Sequence, residues 1–198
     1  MTQIDITLRV IEALDCLQIP SMVTGSLAAA IYGVSRSTQD ADLVADLRPG
    51  DGARIAAELG GDFYLDADSA EEAIVRRTAF SVIYSPEVFK VDLFPVGGRP
   101  YDWQAFGRRT WKPFGLEPPR SAFIESPEDL VLSKLRWYRL GGEVSDQQWR
   151  DILGVLKVQA GALDLDYLHR WAGEETVLDL LDRALREAGG RPPDDRRR

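Results

Sequence analysis

Apolar and polar positions follow two alternating periods in the N-terminal part of this chain and only one period afterwards. Apolar residues three and four apart predict helices over 4–17, 26–32, 50–59, 69–76 and 101–109. Between them, runs of β-branched and aromatic residues predict strands over 21–24, 40–46, 62–65, 78–84 and 88–96, the last two forming a hairpin through Ser85-Pro86-Glu87. The Pro-rich stretch 112–120 reads as a loop or edge segment. From Ser126 onward the period is helical only, over 127–140, 145–160, 165–172 and 176–188. Ser126-Pro127-Glu128-Asp129 supplies an N-cap, a proline at the first helical position and acids in the first turn, while Gly141-Gly142, Gly161 and Gly173 act as stops. The pattern gives an α/β (α+β) fold, a mixed sheet flanked by helices and followed by a C-terminal helical bundle. Its expected units are 1–122 and 123–190, with a disordered tail at 191–198.

Chemistry enters at the second strand. Asp40-Ala41-Asp42 opens it, and residues i and i+2 of a strand share a face, so both carboxylates point into one cleft. Carboxylate oxygens suit Mg2+, which is held by one or two acids plus substrate phosphates, and Mn2+ can substitute. Two such ions about 4 Å apart clamp the attacking and leaving oxygens of an in-line displacement. The third acid is Asp92, which interrupts the apolar run Val88-Phe89-Lys90-Val91-Asp92-Leu93-Phe94 and is costly there unless paired or metal-bound. Asp66-Ala67-Asp68 and Asp164-Leu165-Asp166 have the same spacing but precede helical segments, where they read as N-caps with acids in the first turn. Upstream of the acid pair, Gly25 allows close backbone approach, and Ser26 is placed to cap the helix after it, whose free N–H groups favour anions.

These motifs resemble the DNA polymerase β-like nucleotidyltransferase superfamily, whose pattern is an apolar strand, Gly-Ser, a short helix, an acid-x-acid pair and a later third acid. Gly25, Ser26, Asp40, Asp42 and Asp92 match it. The run Ser35-Arg36-Ser37-Thr38-Gln39-Asp40 is similar to the lead-in of bacterial stand-alone members, including the AbiEii-like toxin group. Residues 127–134 and Trp149-Arg150-Asp151-Ile152 look like the helical part of those families. The spacer before the acid pair departs from the Gly-Ser-x-Ala-x-Gly-x-Ala-Arg form of the minimal nucleotidyltransferases. The resemblance implies a Mg2+-dependent enzyme moving a nucleoside monophosphate from an NTP such as ATP to an acceptor hydroxyl, with pyrophosphate released. It implies catalytic and metal-binding roles for Asp40, Asp42 and Asp92, and nucleotide-binding roles for Gly25, Ser26, Arg36, Thr38 and Lys134. The acceptor would be an RNA end, a protein or a small molecule, and a cognate antitoxin is an implied partner. The alternative is a non-catalytic nucleotide- or partner-binding module on the same fold. Dehalogenase-type phosphatases and metal-dependent glycosyltransferases also use D-x-D, but after an apolar strand, whereas Arg36-Ser37-Thr38-Gln39 stands here.

Composition narrows the picture. No apolar run is long enough to span a bilayer and the N-terminus has no signal-peptide pattern, so cytoplasmic residence is expected. With one cysteine and one histidine in 198 residues, no intrachain disulfide can form and a Cys/His zinc site is disfavoured. Cys16 is expected in the core, as are Trp137, Tyr138, Trp149 and Trp171. A net charge of −8 argues against broad adhesion to nucleic acid. The net-positive window is 99–139, holding Arg99, Arg108, Arg109, Lys112, Arg120, Lys134, Arg136 and Arg139. Either it faces the acidic cleft and meets phosphates or an RNA end, or it is a solvated surface. Lys134, on one helical face with Leu130 and Trp137, is the member expected to reach a triphosphate.

Overall fold

The structure is a computed structural model, and it describes residues 1–34, 38–116 and 119–189. The tail predicted at 191–198, and Arg36 with its neighbours Ser35 and Ser37, lie outside the described residues. In chain order the elements are α1 (Gln3–Cys16), β1 (Ser21–Thr24), α2 (Gly25–Ile31), β2 (Asp40–Ala45), α3 (Asp51–Leu59), β3 (Phe63–Tyr64), α4 (Ala67–Arg76), β4 (Phe80–Tyr84) and β5 (Phe89–Pro95). They continue as α5 (Pro100–Gly107), β6 (Thr110–Leu116), β7 (Pro119–Ile124), α6 (Pro127–Leu140), α7 (Asp146–Val158), α8 (Leu165–Glu174) and α9 (Leu178–Glu187).

Among the described residues, seven strands form one mixed sheet in the order β3-β4-β5-β2-β1-β7-β6. β2 runs parallel to β5 and β1 parallel to β7, while the remaining neighbours are antiparallel. Strict alternation divides the sheet's central strands. Val23, Ala41, Leu43, Val91, Leu93 and Ile124 are buried on one face, the core face. On the opposite face, Met22 and the half-buried Val44 pack with Phe106 of α5 and Val96, and this apolar patch leaves the other ends of β1 and β2 to polar residues.

Two compact units emerge. The first is Met1–Leu27 with Ser37–Glu125; the second is Ala28–Arg36 with Ser126–Arg198. The boundary expected at 122/123 would cut β7, which runs to Ile124 because it is paired with both β1 and β6. In the second unit the turn after α2 is locked to α7 by interdigitation: a Cβ on Gly33 would fall 2.8 Å from Val158, and one on Gly154 would fall 2.6 Å from Val34. α6 opens on a polar anchor. Ser126 Oγ and the Tyr167 hydroxyl donate to the two oxygens of the buried Asp129 at 2.6 and 2.7 Å, and Glu128 accepts the backbone N–H of Asp164 at 3.0 Å.

Several expectations are corrected. The stretch expected as a loop or edge segment is largely the β6–β7 hairpin, whose outer strand is indeed the sheet edge. Gly173 lies inside α8, since one glycine costs a helix only about 1 kcal/mol when both flanks pack. Cys16 is exposed, because the last turn of α1 rotates it off the buried stripe formed by Ile6, Val10 and Leu14. Trp137 is 55% exposed, whereas Tyr138, Trp149 and Trp171 are buried as expected. Asp66 and Asp164 do cap α4 and α8 through the N–H groups of Ser69 and Tyr167.

Candidate active site

Register places the acids. On β2 and β5, Asp40 lies opposite Lys90, Asp42 opposite Asp92 and Val44 opposite Phe94. Registered partners project to the same side, so Asp40, Asp42 and Asp92 share the face opposite the buried Ala41, Leu43, Val91 and Leu93. Thr24 of β1 is the cross-strand partner of Asp42, which carries the polar face one strand further.

Each carboxylate has a distinct holder. Thr38 Oγ1 donates to Asp40 Oδ1 at 2.9 Å. Ser81, opposite Asp92 on β4, donates to its Oδ1 at 2.6 Å, and Lys90 Nζ lies 2.7 Å from its Oδ2. Asp42 lies over Gly25, where a Cβ would fall 2.9 Å from Asp42 Cγ and closer still to Oδ2. Gly25 also has φ +63°, in the left-handed region, so glycine is required there on two counts. α2 begins at Gly25, which puts Ser26 inside the first turn rather than at the cap expected of it.

Lys90 responds to all three acids. The Asp92 carboxylate, with Asp40 and Asp42 adding to it, raises the Lys90 ammonium above its ordinary pKa against the opposing effect of burial. Among the described residues no group of three His, Cys, Asp or Glu side chains is gathered closely enough to hold a metal ion. The three acids therefore share a face without yet sharing a centre. The donor set still fits a hard divalent cation: all oxygen, on neighbouring strands, with Asp42 on rigid β2 and backed by a glycine.

Two groups on or beside this face were missed by sequence reasoning. Lys90 stands two residues before Asp92, and the period of a strand was enough to place it on the acids' side. Glu125 directly follows β7, is 3% exposed, accepts a hydrogen bond from the Thr24 hydroxyl, and donates its own N–H to Val23 O at 2.9 Å. A carboxylate straight after the apolar Ala122-Phe123-Ile124 was the signal, but Ser126-Pro127 drew it into the helix start.

Lys134 is drawn inside the helical unit. Its Nζ donates to Asp151 Oδ2 at 3.0 Å, with both side chains buried, tying α6 to α7. Its expected face-mate Leu130 is buried, while Trp137 points outward. Other cations of the positive window are likewise engaged locally: Arg99 with Asp102, Arg120 with Asp5, Arg136 with Glu175 and Arg139 with Asp179. Arg109 stacks over the rings of Phe106 and Phe123 at 4.2 and 4.8 Å.

No family model and no curated protein matches the chain. Solved structures do. The antibiotic-resistance factor ANT(2'')-Ia in solution is similar at 15% identity and a TM-score of 0.55, covering 93% of this chain and 97% of that one. The crystal structure of ANT(2'')-Ia in complex with adenylyl-2''-tobramycin is similar at 15% identity and a TM-score of 0.52, over 93% and 98%. An antigenic nucleotidyltransferase-like protein from Paracoccidioides brasiliensis is similar at 19% identity and a TM-score of 0.55, over 91% of each chain. The chain has the fold of these nucleotidyltransferases, and no helix among its described residues is long and apolar enough to cross a membrane.

Proposed function

We propose that this protein is a metal-dependent nucleotidyltransferase that moves a nucleoside monophosphate from an NTP to an acceptor hydroxyl. The observation that carries the reading is the placement of Asp40, Asp42 and Asp92 on one sheet face of a nucleotidyltransferase fold. In the reaction, the acceptor oxygen forms a bond to the α-phosphorus, the bond from that phosphorus to the bridging oxygen breaks, and pyrophosphate leaves. Mg2+ held by the acids would supply charge neutralisation at the attacking and leaving oxygens. Asp40, hydrogen-bonded by Thr38, and Asp42, accommodated over the bare Cα of Gly25, would hold the metal that neutralises the triphosphate. Asp92, held in orientation by Ser81, takes the acceptor's proton at a carboxylate oxygen. Gly25 and Ser26 supply the close backbone approach for phosphates.

The test offers labelled ATP, GTP, CTP and UTP with Mg2+ to the protein, together with total RNA, a protein lysate or an aminoglycoside such as tobramycin. Label transferred to one acceptor class is expected, with Asp42→Asn reducing transfer by at least a hundredfold while leaving the circular dichroism spectrum unchanged. Transfer that survives Asp42→Asn would overturn the assignment of the site. ATP with a small hydroxylated acceptor is the first combination to try, because the ANT(2'')-Ia structure contains an adenylylated antibiotic and is matched over nearly its whole length.

A further inference from the structure

Three carboxylates on one face repel each other, and the protein answers with a cation of its own. Lys90 is registered opposite Asp40, and its Nζ lies 2.7 Å from Asp92 Oδ2, while Ser81 occupies the other oxygen of the same carboxylate. Both oxygens of the third acid are thus engaged. The Lys90 side chain is 44% exposed against 15% for Asp92, so the ammonium reaches in from the solvent side on a flexible four-carbon stem. A hydroxyl from Ser81 holds the carboxylate's orientation whether or not the ammonium stays.

We propose that Lys90 is the resident counter-cation of the carboxylate face, and that a divalent cation engages Asp92 by exchange, displacing the Lys90 ammonium from Oδ2. The proposal rests on the reading of the three acids as a metal site and adds how that site is kept when no metal is bound. Three consequences follow from charge alone. The metal-free acids repel one another less than they would without the ammonium. Metal without nucleotide binds weakly, because it must displace or stand beside a positive charge. Once displaced, the ammonium remains tethered beside Asp40, where the phosphates of an incoming NTP give it a new partner, so metal and nucleotide favour each other's binding.

The experiment titrates the full chain with MnCl2 in the absence of nucleotide, reading free Mn2+ by its electron paramagnetic resonance signal. Wild type is compared with Lys90→Met, Lys90→Arg and Asp42→Asn, and circular dichroism melting confirms that each variant folds. Lys90→Met is expected to bind Mn2+ about tenfold more tightly than wild type, the effect of removing one nearby positive charge. Lys90→Arg, which keeps the charge, stays within about threefold of wild type on the same ground. A merely structural lysine would give no tightening in the methionine variant. Equal Mn2+ affinity in wild type and Lys90→Met overturns the exchange while leaving the metal site standing. Absence of Mn2+ binding in wild type and Lys90→Met alike, or binding that Asp42→Asn leaves unchanged, overturns the metal site and the exchange with it.

Discussion

Two lysine–aspartate pairs of nearly the same length sit in opposite surroundings. Lys90 and Asp92 meet at 2.7 Å on the carboxylate face, with side chains 44% and 15% exposed. Lys134 and Asp151 meet at 3.0 Å between α6 and α7, with side chains 10% and 3% exposed. Contact distance does not separate them; access to water does. A buried charge has no substitute partner if its mate is lost, so the inner pair is a fixed structural commitment. A half-exposed ammonium can be replaced by water, a salt cation or a metal at little cost, and such a pair is exchangeable. The helical unit has used its lysine where exchange is forbidden. The sheet unit has placed its own where exchange is open.

The sharpest way to break this comparison is Asp151→Ala. Removing one partner of a buried pair costs about 3–5 kcal/mol, because Lys134 is left charged and desolvated. Urea titration followed by circular dichroism should show that loss, and Lys134→Met combined with Asp151→Leu should recover most of it, since an apolar pair of similar volume is often neutral or stabilising. A cost for Asp151→Ala below about 1 kcal/mol would put the inner pair in the class of surface ion pairs and dissolve the contrast.

The first turn of α2 comes next in size. Gly25→Ala introduces a Cβ into the Asp42 carboxylate and forces alanine to φ +63°. The left-handed conformation alone costs about 1–2 kcal/mol. The carboxylate must also move, so Mn2+ affinity should fall as it does in Asp42→Asn, a combination that a simple loss of stability would not give. A variant that keeps wild-type Mn2+ affinity would detach Gly25 from the site.

The carboxylate face was legible in the sequence, and the two lysine–aspartate pairs were not, for reasons that can be located. Period-two alternation placed Asp40 and Asp42 on one face, because a strand leaves a side chain only two directions, and Asp92 stood out as a carboxylate in an apolar strand; the β2–β5 register puts it on the same face. The same rule applied to Lys90, two residues before Asp92, would have found the counter-cation. The caps of α4 and α8 were readable because Asp66 and Asp164 act on N–H groups three residues away. Glu125 was not, since its hydroxyl partner Thr24 is about a hundred residues distant, |i−j| = 101, and only the parallel pairing of β1 with β7 brings them together. Lys134 illustrates the same limit. Its helix was read correctly, but it shares the buried side with Leu130 and not with Trp137, and the acid that claims it lies on α7, across a turn whose geometry no local pattern fixes. The β6–β7 hairpin was obscured by Pro113, which the edge strand β6 tolerates, and by Pro119, which stands at the first residue of β7.

The smallest effect carries the finest distinction. Lys90→Met, measured by urea titration without divalent cations, should lower stability by no more than about 1 kcal/mol, the range of partly exposed ion pairs. Its sign should be destabilising, because Asp40, Asp42 and Asp92 lose the cation that stands among them, and raising the salt concentration should shrink the loss by screening their repulsion. Added Mn2+ should then reverse the order, stabilising the methionine variant by more than it stabilises wild type, since the metal no longer competes with an ammonium. Asp151→Ala offers no such reversal, because nothing from solution can take the place of a partner between α6 and α7. If Mn2+ stabilises Lys90→Met and wild type equally, the ammonium on Asp92 is only an incidental surface pair, and the distinction between an exchangeable and a fixed lysine fails at the sheet.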